Sequence, residues 1–126
     1  MDVEGLTRLA EVALVGEGVE HAELSVSFVT DEEIADLHRR YMGEEGPTDV
    51  LSFPLDEVDE GGARILGDVV ISPSAAERNN PLDQPSELRL LLVHGILHLL
   101  GHDHEDEADR AAMWTLQERY TGLRVP

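Results

Sequence analysis

The sequence predicts an α+β fold: a small mixed β-sheet of three or four strands covered by about five helices. Three observations predict it. Short apolar stretches at residues 23–29, 50–53 and 64–72 are interspersed with longer segments of helical period. One of those longer segments, residues 87–100, is leucine-rich on nearly every side, the mark of a buried central helix. The composition supports a core, with 41% hydrophobic residues in a chain of 126, which suits one domain spanning 1–126.

Each element has a local reason. Val3, Leu6, Leu9, Ala10, Ala13 and Leu14 recur at helical spacing, so residues 3–15 form an amphipathic helix that ends near Gly16 or Gly18. Residues 23–29 (ELSVSFV) alternate as a half-buried strand does. Thr30 opens a capping box with Glu33, and the helix it starts runs to about Tyr41 with Ile34, Leu37 and His38 on one face. His38 reads as structural. GEEGP at 43–47 is a turn. Residues 50–53 form a short strand closed by Pro54, and the acidic, glycine-rich stretch 56–62 is a surface loop.

Residues 64–72 are the third strand, with Gly67 permitting close packing and Asp68 read as a structural acid rather than a functional one. Pro73 suits the first turn of a short helix. After a loop at 79–85, Ser86 caps the leucine-rich helix. The acidic run EDEAD then opens a last helix carrying Ala108, Ala111, Ala112, Trp114, Leu116 and Tyr120. Glu105 and Asp106 read as its capping charges, with a role in orienting a ligand imidazole as the alternative.

The chemistry concentrates in residues 94–104, HGILHLLGHDH, which hold four of the six histidines. His94 and His98 stand four apart, hence on one helix face about 40° from each other. Two imidazoles so placed can share one metal ion. Gly101 suits a left-handed turn past the helix end, which would swing His104 back as a third ligand. Three protein ligands leave one position of a tetrahedral zinc open, as catalytic sites do.

HGILHLLGHDH resembles the signature of the YbeY family, the bacterial rRNA maturation endoribonucleases. PTDVLSFP at 47–54 and LGDVVIS at 66–72 match two further stretches of that family in the same order, so the likeness runs from about residue 24 into the last helix. The resemblance implies a zincin-like metal helix with His94, His98 and His104 as ligands to one zinc per chain. It implies a single-strand-specific endoribonuclease acting on the 3′ end of small-subunit rRNA and in ribosome quality control. Its implied partners are RNA and either a small-subunit ribosomal protein or a ribosome-associated GTPase. Relatives usually carry a strand before the first helix; this chain starts at that helix, which implies a sheet one strand shorter. They also follow the tyrosine at 41 with arginine, where this chain has Met42. Arg39 and Arg40 are the nearby candidates for the substrate-binding role.

Composition excludes several classes. No apolar run approaches the roughly 18 residues that cross a bilayer. The N-terminus is acidic where a secretory signal is basic, and there is no cysteine for disulfides or thiolate metal sites. A cytoplasmic protein is expected. The net charge of −18 arises from 27 acids against nine cations, every cation an arginine. Phosphate contacts need cations, so RNA binding must rest on a local arginine cluster; solubility and a basic protein partner are the other readings of the charge.

Two other functions compete. Metzincin-like metallopeptidases share the histidine spacing but place a glutamate, their general base, directly after the first histidine. Here that residue is Gly95, which transfers no proton. The other is a non-catalytic ribosome assembly factor whose zinc only holds the fold. His102 and Asp103 lie between ligands and are candidates for proton transfer, but no general base is assigned.

Overall fold

A computed structural model of the chain describes residues 1–44, 46, 48–102 and 106–122. The elements in order are α1 (Val3–Gly16), β1 (Ala22–Phe28), α2 (Asp31–Met42), β2 (Val50–Val58), β3 (Arg64–Ile71), α3 (Pro73–Asn79), α4 (Gln84–Leu99) and α5 (Glu107–Thr121). The sheet has three strands in the order β1-β3-β2, with β1 parallel and β2 antiparallel to β3. The mixed sheet and five helices are those the sequence predicts.

The central strand explains its own composition. Val69 and Ile71 join the large core cluster formed with α1, α4 and α5, whereas Val70 joins a smaller one with Ile34 of α2 and Leu51 of β2. Successive side chains of a strand point to opposite faces, so β3 is apolar without alternation because both of its faces are covered. β1, at the sheet's edge, keeps the alternation of half-buried and exposed residues.

Two boundaries differ from the sequence reading. β2 does not close at Pro54 but continues to Val58, followed by a tight turn in which Asp59 N–H donates to Ala63 O (2.8 Å) and Ala63 N–H to the Asp59 carboxylate (2.9 Å). An edge strand tolerates proline because one row of its backbone groups needs no sheet partner. The pairing with β3 shifts register between Pro54 and Glu57. Opposite Pro54, Gly67 adopts φ 138°, and a Cβ there would strike the Phe53 carbonyl. The bulge therefore needs glycine.

The second difference is the cap of α4, which is Asp83 rather than Ser86. The Asp83 carboxylate accepts from Ser86 N–H (3.2 Å) and from Ser86 Oγ (2.6 Å). An aspartate ahead of a proline in the first turn satisfies the cap preferences as well as serine does. The Thr30 cap of α2 is as expected, its hydroxyl accepting from Glu33 N–H (3.2 Å).

α4 is the hub. It packs on β2 and β3 and against α1, α3 and α5, with Leu88, Leu91, Leu92, Val93, Gly95, Ile96, Leu97 and Leu99 buried. Burying a leucine or isoleucine side chain contributes about 1.5–3 kcal/mol, so this one helix organises much of the core. The leucine-rich segment is the buried central helix that its sequence predicts.

Candidate metal centre

His94 and His98 lie on the last two turns of α4, both half-buried, with ring centroids 4.6 Å apart and planes at 74°. The helix positions them, and the sheet positions the helix at the residue between. Ser52 Oγ of β2 donates to Gly95 O (2.8 Å). A Cβ at Gly95 would lie 2.6 Å from Val69 Cγ1 and 3.2 Å from Val50 Cγ2. Gly95 thus lets the helix approach the sheet closely. A glutamate there would have to enter the core, so the place where a metallopeptidase carries its base is taken by packing.

His94 has a partner that the sequence reading did not include. Its Nδ1 lies 2.7 Å from Oε1 of Gln117, a buried residue of α5. With that oxygen as acceptor, Nδ1 carries the proton and the ring's lone pair sits on Nε2. This is the arrangement that fixes tautomer and orientation in metal-ligating histidines. Two imidazoles on one face, one with its tautomer fixed, fit a zinc ion's preference for neutral nitrogen donors. They also sit at the carbonyl end of α4, where the helix dipole favours positive charge. The available signal for Gln117 was a polar residue on the inward stripe Met113, Gln117, Tyr120, but its partner lies 23 positions away.

The turn after α4 follows the sequence reading. Gly101 has φ 96°, its N–H donates to His98 O (3.0 Å), and His102 N–H donates to Leu97 O (3.0 Å). These are the two bonds of a Schellman motif, which reverses the chain at the helix end. His102 then places Nε2 2.6 Å from Glu17 Oε1, while Tyr120 Oη donates to Glu17 Oε2 (2.5 Å). Burial alone would raise the Glu17 carboxyl, but the hydrogen bonds from Tyr120 and His102 outweigh it and hold the group below its ordinary value. Burial, followed by the hydrogen bond to Glu17 and then the Glu17 charge, pushes the Tyr120 hydroxyl up. His102, a candidate for proton transfer in the sequence, is engaged with Glu17.

Asp103, His104 and Glu105 lie outside the described residues. Among the described residues no three histidine, aspartate or glutamate side chains form a metal-holding group. Asp106 is the N-cap of α5, its carboxylate accepting from Asp109 N–H (2.8 Å). His38 is structural, with Nδ1 3.0 Å from Gly46 O and Nε2 2.9 Å from Glu44. Asp68 sits mid-strand in β3, opposite Ser25 and Phe53.

The candidate substrate arginines share one acid. Arg39 and Arg40 reach the two oxygens of Asp36 at 2.5 and 3.3 Å, all three side chains well exposed. The Arg40 guanidinium also lies 5.6 Å from the Tyr41 ring centroid, and that ring meets Phe53 edge-on at 5.6 Å.

A family model described as Endoribonuclease YbeY matches residues 4–122. The chain belongs to the YbeY family. It is 46% identical to the Endoribonuclease YbeY of Frankia alni, over 94% of this chain and 73% of that one. The Endoribonuclease YbeY of Thermobifida fusca is 48% identical, with 92% of this chain and 81% of the relative covered. The solution structure of TM1509 from Thermotoga maritima is similar in fold, with a TM-score of 0.64 at 31% identity over 94% of this chain and 78% of that one. In this YbeY-family chain the His94–His98 pair lies on α4, the helix with the most buried residues.

Proposed function

We propose that this chain is a zinc-dependent, single-strand-specific endoribonuclease that matures the 3′ end of small-subunit rRNA in the cytoplasm and serves ribosome quality control. The observation that carries the proposal is the His94–His98 pair, braced by Gln117, in a chain whose relatives are named endoribonucleases. His94, His98 and His104 are the proposed ligands of one zinc ion per chain. Zinc bound there would supply Lewis-acid activation of water or of a phosphoryl oxygen.

The chain's own residues do the rest. Gln117 holds the His94 ring in its ligating tautomer. Ser52 and the bare Cα of Gly95 lock the helix against the sheet, so the pair is preorganised. Arg39 and Arg40 are the proposed phosphate contacts, and an approaching RNA would have to draw them from Asp36. Peptide hydrolysis is disfavoured, because Gly95 stands where that chemistry places its base.

The decisive assay is cleavage of single-stranded RNA by the metal-loaded protein, with and without chelator, beside casein as a peptide substrate. Cleavage of RNA alone, abolished by chelator and by His98→Ala, is the expected result. Circular dichroism of His98→Ala separates loss of the ligand from loss of the fold, since metal binding couples to folding. Hydrolysis of casein without RNA cleavage would overturn the proposal. The net charge of −18 favours one other reading, an assembly factor that binds a basic ribosomal protein or a ribosome-associated GTPase through a structural zinc protein. A folded, zinc-loaded protein that cleaves nothing, alone or with ribosomal subunits, would support it.

A further inference from the structure

We propose that Trp114 is a base-stacking contact for single-stranded RNA beside the His94–His98 pair, with Arg110 as the phosphate contact next to it. The inference rests on the reading of this chain as an endoribonuclease working at that pair.

Two contacts set how α5 lies on α4. The Arg89 guanidinium donates to Thr121 O, and His94 Nδ1 meets Gln117 Oε1. Five residues forward along α4 thus correspond to four residues back along α5, so the two helices run antiparallel. Four more residues along α4 reach His98, and the matching step along α5 reaches Met113 and Trp114. Met113 is buried in the core at 1% exposure, whereas Trp114 is 37% exposed. The tryptophan therefore stands at the level of His98, on the solvent side of the core.

Its flank of α5 is the one that meets α4. At about 100° per residue, Arg110, Trp114, Gln117 and Thr121 fall within about 60° of one another. Gln117 and Thr121 are buried, and their bonds tie α5 to α4. Arg110 lies one turn before Trp114, the spacing at which helix side chains are neighbours, and it is exposed. By the same pairing its level on α4 falls past Leu99, where that helix has ended. Unlike Arg39 and Arg40, Arg110 makes no ion pair among the described residues.

The chemistry of the spot fits an unpaired base. Most of Trp114 is anchored by burial, and the remainder offers aromatic surface to solvent. Its neighbours Ala111 and Thr115 are small, so they cover little of it. Base–aromatic stacking needs no charge and tolerates any base, which suits a chain with nine cations against 27 acids. A base inside a duplex is already stacked and paired, so a ring here favours single strands. Glu107 and Asp109, in the first turn of α5 beside Arg110, oppose a long run of phosphates. The site therefore takes one base and its adjoining phosphate rather than a tract of backbone.

Trp114 is the only tryptophan in the sequence, so tryptophan fluorescence reports on this position alone. The zinc-loaded full chain is titrated with a 2′-O-methyl oligouridylate that resists cleavage, and with an abasic oligomer of equal length that keeps the phosphates without the bases. The oligouridylate is expected to quench and shift the emission, and the abasic oligomer to bind more weakly and leave it near its starting value. By filter binding, Trp114→Ala is expected to lose about 5- to 150-fold in affinity for the oligouridylate, the range for one stacked base, and little for the abasic oligomer. Trp114→Phe, which keeps a ring, is expected to retain part of the affinity, and it decides by the same comparison if circular dichroism shows Trp114→Ala unfolded. Arg110→Ala is expected to flatten the salt dependence by about 0.7 while the quench remains. RNA binding by the wild type with unchanged emission, and with equal affinity in both tryptophan variants, would overturn the stacking role alone and leave the exposed ring to a protein contact. A folded, zinc-loaded wild type that binds no RNA would overturn the endoribonuclease reading and the stacking role with it.

Discussion

At the proposed zinc site, the contact between His94 Nδ1 and Gln117 Oε1 leaves Nε2 as the nitrogen that would face the metal. Replacing Gln117 by leucine keeps the volume near constant but removes the acceptor on Nδ1, so the ring loses its fixed tautomer. Zinc affinity should fall about 10- to 100-fold, measured by chelator competition, with the circular dichroism spectrum unchanged. Gly95 makes the complementary case, where the smallest side chain is required. Gly95→Ala would push a methyl to 2.6 Å from Val69 Cγ1, and overpacking of this kind costs about 1–3 kcal/mol, readable as a lower urea midpoint. The histidines themselves were legible because their spacing is local: four residues of helix place His94 and His98 together whatever the rest of the fold does. Gln117 and Glu17 were not, because their partners lie 23 and 85 positions away and only the packing of α5 and α1 on α4 brings them together.

Between elements, Asp31 is the tie that titration can expose. It opens α2, accepts from Ser72 Oγ (2.8 Å), and takes a two-pronged bond from Arg78 of α3 (2.7 and 3.1 Å). The Arg78 bond, followed by that from Ser72, holds the Asp31 carboxyl below its ordinary value. A folded-state pKa below the unfolded one stabilises the protein fully above the ordinary aspartate value, about 3.9, and the contribution is lost as pH falls through the folded value. Thermal melts should therefore show Asp31→Asn less stable than the wild type at pH 7, with the gap narrowing as pH drops below 4. A gap that is constant with pH would mean the loss comes from packing alone. Element types were legible from periodicity and caps, as Thr30 and Gly101 show. The far half of β2 was not. Pro54 reads as a strand terminator until the strand is known to lie at the sheet's edge, and no local feature reveals that.

For the molecule as a whole, the unusual property is an excess of acids over cations in a chain whose family is named for acting on RNA. The sequence displays the charge but not its arrangement, because which acids shield which arginines depends on helix faces. Asp36 engages both Arg39 and Arg40, so the two proposed phosphate contacts begin as ion pairs on the surface. Exposed pairs of this kind contribute only about 0–1 kcal/mol, so a phosphate can replace Asp36 at small cost, but the cations available remain few. Single-stranded RNA releases about 0.7 counterions per phosphate neutralised. With roughly two to four contacts, the log of affinity should fall against the log of salt with a slope of roughly −1.4 to −2.8. Arg40→Ala should flatten that slope by about 0.7 and weaken binding alike for all sequences, as expected for a phosphate contact. Asp36→Asn should do the reverse and tighten binding at low salt, because it releases both guanidinium groups and removes one negative charge from the approach. Filter-binding titrations at several salt concentrations measure all three quantities. A slope several times steeper would place the RNA on a broader basic surface than Arg39 and Arg40 provide, and an Arg40→Ala slope equal to that of the wild type would remove this helix face from the RNA path.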